Sequence, residues 1–160
     1  MSSIQVLNTD NKKISIKIKG VSLEYANALR RICLNGVPVF AIDTIDMIEN
    51  TSVISDEDLA HRLSMIPLRT ELSRSDEQDF RVMFTLDSGD IKSAKTVTSA
   101  DLSSKDEVIK PISDKIPIVY LAPGQRIRFE AYARLGRGTE HAKWNSANIS
   151  VLTNTDKENE

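Results

Sequence analysis

The chain has 160 residues, of which 40% are hydrophobic and 28% charged, and its formal net charge is −2. This length fits one compact domain or two small ones, with enough residues to bury a real core. A balance so close to neutral argues against a protein that holds DNA or RNA mainly through its phosphates, and it favours proteins or small ligands as partners.

The sequence contains no apolar run that approaches the roughly 18 residues needed to span a bilayer. The first residues, MSSIQVLN, lack the character of a signal peptide. The single cysteine, Cys33, cannot form an intramolecular disulfide and cannot by itself build a thiolate metal cage. We therefore expect a reducing, cytoplasmic location.

The first elements are a strand and a helix. In residues 12–20, isoleucines alternate with lysines and a serine, which predicts a half-buried strand with its lysines in water. Residues 22–36 predict a helix that Ser22 caps and Gly36 ends. Arg30 and Arg31 lie beside an apolar stripe at helical spacing, made of Tyr25, Ala26, Leu29, Ile32 and Cys33.

A second strand and a second helix follow. Residues 39–49 are rich in β-branched side chains and predict a strand, along which the acids Asp43, Asp46 and Glu49 indicate a solvated face. Residues 55–67 predict a short helix, capped by Ser55 or Asp56 and ended by Pro67. Its predicted apolar face consists of Leu59, Leu63 and Ile66.

The rest of the chain is mostly strand and loop. Residues 69–78 predict a polar loop, and residues 88–111 a long connection with at most a short strand at 94–100. Strands are predicted at 80–87, at 116–121 before a Pro-Gly turn, at 126–136 with strict alternation, and at 147–153. This order predicts an α+β fold with mostly antiparallel sheet.

Candidate chemistry is sparse. The two histidines, His61 and His141, have no carboxylate or thiolate spaced like a known metal-ligand set, so a packed or hydrogen-bonding role is favoured for His61. Gly136 and Gly138 follow a predicted strand, but the segment after them leads to another strand and not to the helix of a phosphate loop. A hydrolase or transferase that uses His61 or His141 remains the alternative function.

Residues 135–147, LGRGTEHAKWNSA, combine glycines with cationic residues and the only tryptophan, Trp144. Arg and Trp are enriched where protein interfaces bind most tightly, which favours a docking loop. An equal alternative is that Trp144 fills the core at a sheet corner. A nucleic-acid surface on the face of Arg126, Arg128 and Arg134 is a third possibility, although Glu130 interrupts it.

Three segments together resemble the D-subunit family of archaeal RNA polymerases: GVSLEYANALRRICLNGVPVFAID, DLAHRLSMIPL and YARLGRGTEHAKW. The family is related to the third-largest subunit of eukaryotic RNA polymerase II and to the N-terminal domain of the bacterial alpha subunit. The resemblance implies a discontinuous alpha-like dimerisation domain, residues 1–48 and 146–160, with residues 49–145 inserted as a mostly antiparallel β domain.

The resemblance also implies a function without chemistry of its own. Family members are assembly platforms that pair with the small alpha-like L subunit, and then dock the second-largest catalytic subunit and the small zinc-binding N and P subunits. Direct contact with nucleic acid or membrane is not expected. An isolated chain would expose an apolar patch where its partner belongs.

The site residues follow from the matching positions. The large subunit would meet two groups of side chains: Asn27, Arg30 and Arg31 on the first helix, and Arg137, His141, Lys143 and Trp144 in the loop. Small subunits would meet the helix stripe and the second helix, through Tyr25, Leu29, Cys33, Leu59, His61 and Arg62. Arginine suits such docking because its planar fork binds carboxylates and carbonyls in pairs.

Two features depart from the family. Its members continue into a long amphipathic helix that completes the dimer interface, whereas this sequence ends in NTDKENE, so we expect a fragment or a weakly dimerising chain. Some members hold an iron-sulfur cluster, which Cys33 alone does not support, and no cofactor is expected.

Overall fold

The computed structural model describes residues 2–71 and 80–154. The fold is α+β with antiparallel sheets, as predicted. The strands are Ser3–Thr9 (β1), Ile14–Lys19 (β2), Val39–Asn50 (β3), Arg81–Asp87 (β4), Lys95–Thr98 (β5), Ser103–Ser104 (β6), Pro117–Leu121 (β7) and Ile127–Gly136 (β8); the helices are Leu23–Asn35 (α1) and Asp56–Ser64 (α2), with short 3-10 helices at Ser99–Asp101 and Ala142–Trp144.

A four-stranded antiparallel sheet, in the order β3-β8-β4-β6, supports the core. The alternation predicted for β8 is confirmed, since Ile127, Phe129, Ala131 and Ala133 are buried, and Arg128 between them is exposed. β3 pairs with β8 from end to end but shifts register twice. The first shift produces a bulge at Asp43, whose carboxylate binds Arg134 and Lys143.

Helix α2 covers the inner face of this sheet and contacts β3 and β7. Ser55 caps it as predicted, because the Ser55 Oγ accepts a hydrogen bond from the Asp58 N–H at 3.2 Å. The predicted apolar face is also confirmed: Leu59 and Leu63 are fully buried and Ile66 is 3% exposed. Burying each of these side chains stabilises the fold by about 2 kcal/mol.

The N-terminal part is far less covered. β1, which the sequence did not single out, pairs with β2 in a separate two-stranded sheet. The strand predicted at residues 12–20 is confirmed as β2. The prediction that its isoleucine face is buried is wrong, since Ile14 is 64% and Ile16 41% exposed. α1 begins at the predicted cap, Ser22, yet none of its residues is buried.

The C-terminal strand predicted at residues 147–153 is absent from the structure. A strand exists only through hydrogen bonds to a neighbouring strand, and among the described residues none pairs with this segment. Its apolar side chains lie in the open as a result, with Ile149 80% and Val151 74% exposed.

The long connection at residues 88–111 contains β5, inside the predicted 94–100, and also β6. β5 pairs with β7 in a second two-stranded sheet. The predicted loop at 69–78 lies mostly outside the described residues. The predicted domain boundary at 48/49 falls within β3, which is one continuous strand, and the division into two domains stays a prediction.

Candidate partner-binding surfaces

The apolar stripe of α1 is uncovered. Tyr25 is 60% and Ile32 54% exposed, Cys33 is exposed, and Leu29 is only partly buried. The helix begins regularly, with the Ser22 Oγ accepting a hydrogen bond from the Tyr25 N–H at 3.3 Å. Amphipathic helices are stabilised mainly by burying their apolar face. The apolar face of α1 has no covering element among the described residues.

The β1–β2 hairpin adds a second apolar surface next to this helix. Ile4 lies opposite Ile18 and Val6 opposite Ile16, so these four side chains share one face. Ile4, Ile18 and Tyr25 line one open groove between the hairpin and the start of α1. The hairpin and the helix therefore form one extended apolar surface.

On its other side α1 borders residues 150–152. An open groove of about 560 Å³ runs between them, with Leu23, Asn27 and Arg30 on the helix side. The Arg30 Nε donates to the Asn27 Oδ1 at 2.9 Å, and an Arg30 terminal nitrogen donates to the Ser150 carbonyl at 3.5 Å. The predicted docking residues Asn27 and Arg30 thus lie together, and Arg31 is exposed beside them.

The C-terminal end of α1 is capped by residues 137–146, which we call the capping loop. The Ser146 N–H donates to the Leu34 carbonyl at 3.0 Å, and the Ser146 hydroxyl donates to the Cys33 carbonyl at 2.8 Å. The Arg137 guanidinium donates to the Gly36 carbonyl. The last carbonyls of a helix lack partners within it and carry partial negative charge, and α1 has no basic residue in its last turn. Arg137 supplies that charge.

Two glycines allow the capping loop to lie this close. A Cβ on Gly138 would stand 2.7 Å from the Cβ of Asn35 and 2.8 Å from its Cα, both in the last residue of α1. A Cβ on Gly136 would strike the ring of Trp144, 2.8 Å from its Nε1. Any larger residue at these positions would push the loop away from the helix.

Trp144 lies beneath the loop and is only 2% exposed. Its Nε1–H donates to the Arg134 carbonyl at 3.3 Å. The Arg134 guanidinium and the Lys143 ammonium lie 4.2 and 4.3 Å from its ring centroid, a cation–π arrangement. Of the two predicted roles, the burial of Trp144 favours filling of the core over direct docking. Trp144 can support a docking surface only from below.

Asp43 joins these cations. Its two carboxylate oxygens accept from the Lys143 Nζ at 2.6 Å and from the Arg134 Nε at 2.7 Å, and Arg134 also pairs with Glu140 at 3.2 Å. Burial by itself would raise the pKa of Asp43, but hydrogen bonds from Lys143 and Arg134 and their positive charges lower the pKa overall. The predicted solvated face is confirmed for Asp43 and Asp46, which are both exposed. The ion pairs that hold the Asp43 carboxylate were not predicted.

The other loop residues that were predicted to dock differ in exposure. His141 and Arg137 are exposed, whereas the Lys143 side chain is only 10% exposed and is held by Asp43. The Nδ1 of His141 accepts from the Lys143 N–H at 3.1 Å and caps the Ala142–Trp144 turn. Of the four loop residues predicted to dock, Arg137 and His141 are the accessible ones.

Helix α2 presents His61 and Arg62 to solvent, as the resemblance implied. Leu59, which was predicted to contact a small subunit, is fully buried in the core, so that prediction is corrected. Within residues 2–71 and 80–154, no group of three or more His, Cys, Asp or Glu side chains lies close enough to hold a metal ion.

The arginine face of β8 is neutralised by acids. Arg126 pairs with Asp87 at 2.9 Å and with Glu49 at 3.6 Å, and Arg128 approaches Asp87 at 3.8 Å. The hydrogen bond from Arg126 lowers the pKa of Asp87. A stripe whose charges are already paired offers little to a phosphate backbone, which weighs against the nucleic-acid interpretation.

No helix of the described segments is both long and apolar enough to cross a membrane.

Comparison with known proteins identifies the family of this chain. Residues 41–154 match the family described as the RNA polymerase Rpb3/RpoA insert domain. The chain is 45% identical over 149 residues to the DNA-directed RNA polymerase subunit Rpo3 of Pyrococcus horikoshii, covering 90% of this chain and 56% of that relative. It is 34% identical over 169 residues to the subunit Rpo3 of Aeropyrum pernix, covering 96% of this chain and 59% of that relative. The chain thus spans less than two thirds of the length of these relatives.

Proposed function

Since the chain belongs to the RNA polymerase Rpb3/RpoA insert domain family, we propose that it is a non-catalytic subunit of a DNA-dependent RNA polymerase and serves as an assembly platform. The relatives named as polymerase subunits support membership in an RNA polymerase complex, but their names do not specify the assembly role. A cytoplasmic location is part of it.

One observation carries the proposal: the uncovered apolar surface of the hairpin and α1. A two-stranded sheet and a single helix rarely hold together in water unless another element covers them. Ile4, Ile14 and Tyr25 each expose 60% or more of their surface. Contiguous apolar surface of this kind marks a protein interface. The occupant we propose is the small alpha-like L subunit, in a one-to-one heterodimer.

The second-largest catalytic subunit would dock beside this dimer. Arg30 lines the 150–152 groove, Arg31 is exposed on the same helix, and Arg137 lies at the C-terminal end of α1. Guanidinium groups bind carboxylates and carbonyl oxygens of a partner. The small zinc-binding N and P subunits would meet the exposed side of α2, through His61 and Arg62.

The alternative function, a hydrolase or transferase using His61 or His141, gains no support from the contacts of either residue. The Nδ1 of His141 is engaged with the Lys143 N–H. His61 lies exposed on α2.

A charge placed on the apolar surface tests the proposal. Ile14→Glu is expected to lower recovery of the co-expressed small alpha-like subunit by about tenfold or more, because burying an unpaired charge costs well over 1.4 kcal/mol. Val53→Glu is the matched control, since Val53 is 86% exposed outside this surface. Equal recovery with both variants would contradict the proposal.

A further inference from the structure

The carboxylate of Asp43 connects three parts of the molecule that are distant in sequence. Asp43 lies in the first bulge of β3, Arg134 near the end of β8, and Lys143 in the turn that ends the capping loop. Both cations bind this one carboxylate and both lie over Trp144. A bulge is what turns the Asp43 side chain toward them, out of the regular alternation of the strand.

The cations, in turn, fix both ends of the capping loop. Arg134 precedes the loop, holds Glu140 inside it and accepts the Trp144 N–H on its own carbonyl. Lys143 lies two residues before Asn145, whose side chain faces Gly138. With both ends fixed, the loop has little freedom to shift against the sheet.

The loop is also the cap of α1. Its Ser146 and Arg137 bind the carbonyls of Cys33, Leu34 and Gly36, and Gly138 lies against Asn35 without room for a methyl group. The position of the loop therefore determines the position of the last turn of α1 and of the Arg137 guanidinium.

We propose that Asp43 is a positioning residue for the docking of a partner: it holds the capping loop on the C-terminal end of α1, so that the loop and the helix present one rigid surface to the second-largest subunit. Asp43 itself does not touch the partner. The Asp43 side chain is 29% exposed, and both of its carboxylate oxygens accept hydrogen bonds from within the chain. The proposal rests on the proposed function for the identity of the partner, but the holding of the loop is a property of this chain alone.

Hydrogen exchange on the chain alone tests whether Asp43 holds the capping loop on α1. In Asp43→Asn, the amides of Gly36, Asn145 and Ser146, each donating to a backbone carbonyl, are expected to exchange about tenfold faster or more, because local opening becomes easier. The amides of β5 and β7 are expected to stay unchanged. Asp46→Asn is the matched control, an exposed acid on the same strand. Unchanged exchange at the loop, or equal acceleration throughout the chain, would overturn the proposal.

Binding to the second-largest RNA polymerase subunit of the chain's own source tests the consequence. We expect Asp43→Asn to weaken binding by about tenfold, and to add little once Arg137→Ala is present, because residues acting through one another give non-additive effects. An equal loss in both backgrounds would overturn the positioning role. If the unmodified chain does not bind this subunit, the proposed function fails while the exchange result still decides whether Asp43 holds the loop.

Discussion

At the scale of single residues, one carboxylate organises most of the charge around the capping loop. Asp43 accepts hydrogen bonds from Arg134 and Lys143 at 2.7 and 2.6 Å, and the side chains of all three are mostly shielded from solvent. Charge-assisted hydrogen bonds that are partly shielded stabilise more than the exposed ion pairs of β8. The two ion pairs of Asp43 should therefore contribute to the free energy of unfolding and to its pH dependence.

Asp43→Asn is expected to lower the free energy of unfolding by about 1–2 kcal/mol near neutral pH. The pKa of Asp43 is lowered in the folded state, where burial acts against the stronger combined effect of Lys143 and Arg134. The folded state therefore binds the Asp43 proton less readily than the unfolded chain. The stabilisation is fully present above the unfolded pKa of about 3.9 and is lost as the pH falls through the lower folded value.

Urea denaturation across a pH series measures this difference. The gap between the unmodified chain and Asp43→Asn should close as the pH falls below about 4. Asp46→Asn, an exposed substitution on the same strand, should change stability by no more than about 0.5 kcal/mol. A gap that stays constant into the acid range would show that the carboxylate charge is not responsible.

At the scale of elements, the two helices differ in what stabilises them. α2 buries Leu59 and Leu63 completely and is capped by Ser55 with three acids in its first turn. α1 has a cap and a capping loop but no buried residue. Helix propensity and caps contribute little without packing. The packing of Leu59 and Leu63 therefore stabilises α2, whereas α1 has no comparable packing among the described residues.

Leu59→Ala is expected to lower the free energy of unfolding by about 2–5 kcal/mol, because it removes a fully buried side chain and leaves a cavity. His61→Ala, two residues later on the exposed side, should cost no more than about 0.5 kcal/mol. Thermal and denaturant unfolding of both variants measures the contrast. Similar losses for the two would mean that α2 does not pack on the sheet as described.

The elements that the sequence predicts well are those with a local signal. The alternation of β8 predicts that strand, and the cap and apolar spacing of α2 predict that helix, because each pattern extends over about ten consecutive residues. The ion pairs of Asp43 are not predictable in this way, because its partners Arg134 and Lys143 lie 91 and 100 residues further along the chain. Bulges and such distant pairs leave no periodic signal.

The errors at the two ends of the chain have a different cause. Ile14, Ile16 and Ile18 show the pattern of a buried face, and residues 147–153 that of a strand, yet the described chain neither covers the first nor pairs the second. A sequence records which surfaces are suited to burial but not which molecule buries them. Both errors therefore concern apolar segments that the described residues leave uncovered.

At the scale of the whole molecule, one part of the chain has a well-packed core and another part leaves its apolar side chains exposed. The core built on the four-stranded sheet and α2 buries large side chains such as Phe84 and Phe129 to 1% exposure or less. The hairpin, α1 and residues 149–152 carry apolar side chains that are mostly exposed. Binding of a partner to this exposed apolar part would stabilise the folded chain, and the more so at higher partner concentration and tighter affinity.

The most direct test of the central claim is the mass, by light scattering, of the species purified when the 160-residue chain is co-expressed with the small alpha-like subunit of its own source. We predict one stable species whose mass is the sum of 17.8 kDa and one copy of that subunit. A monomer of 17.8 kDa that leaves the subunit unbound would contradict it.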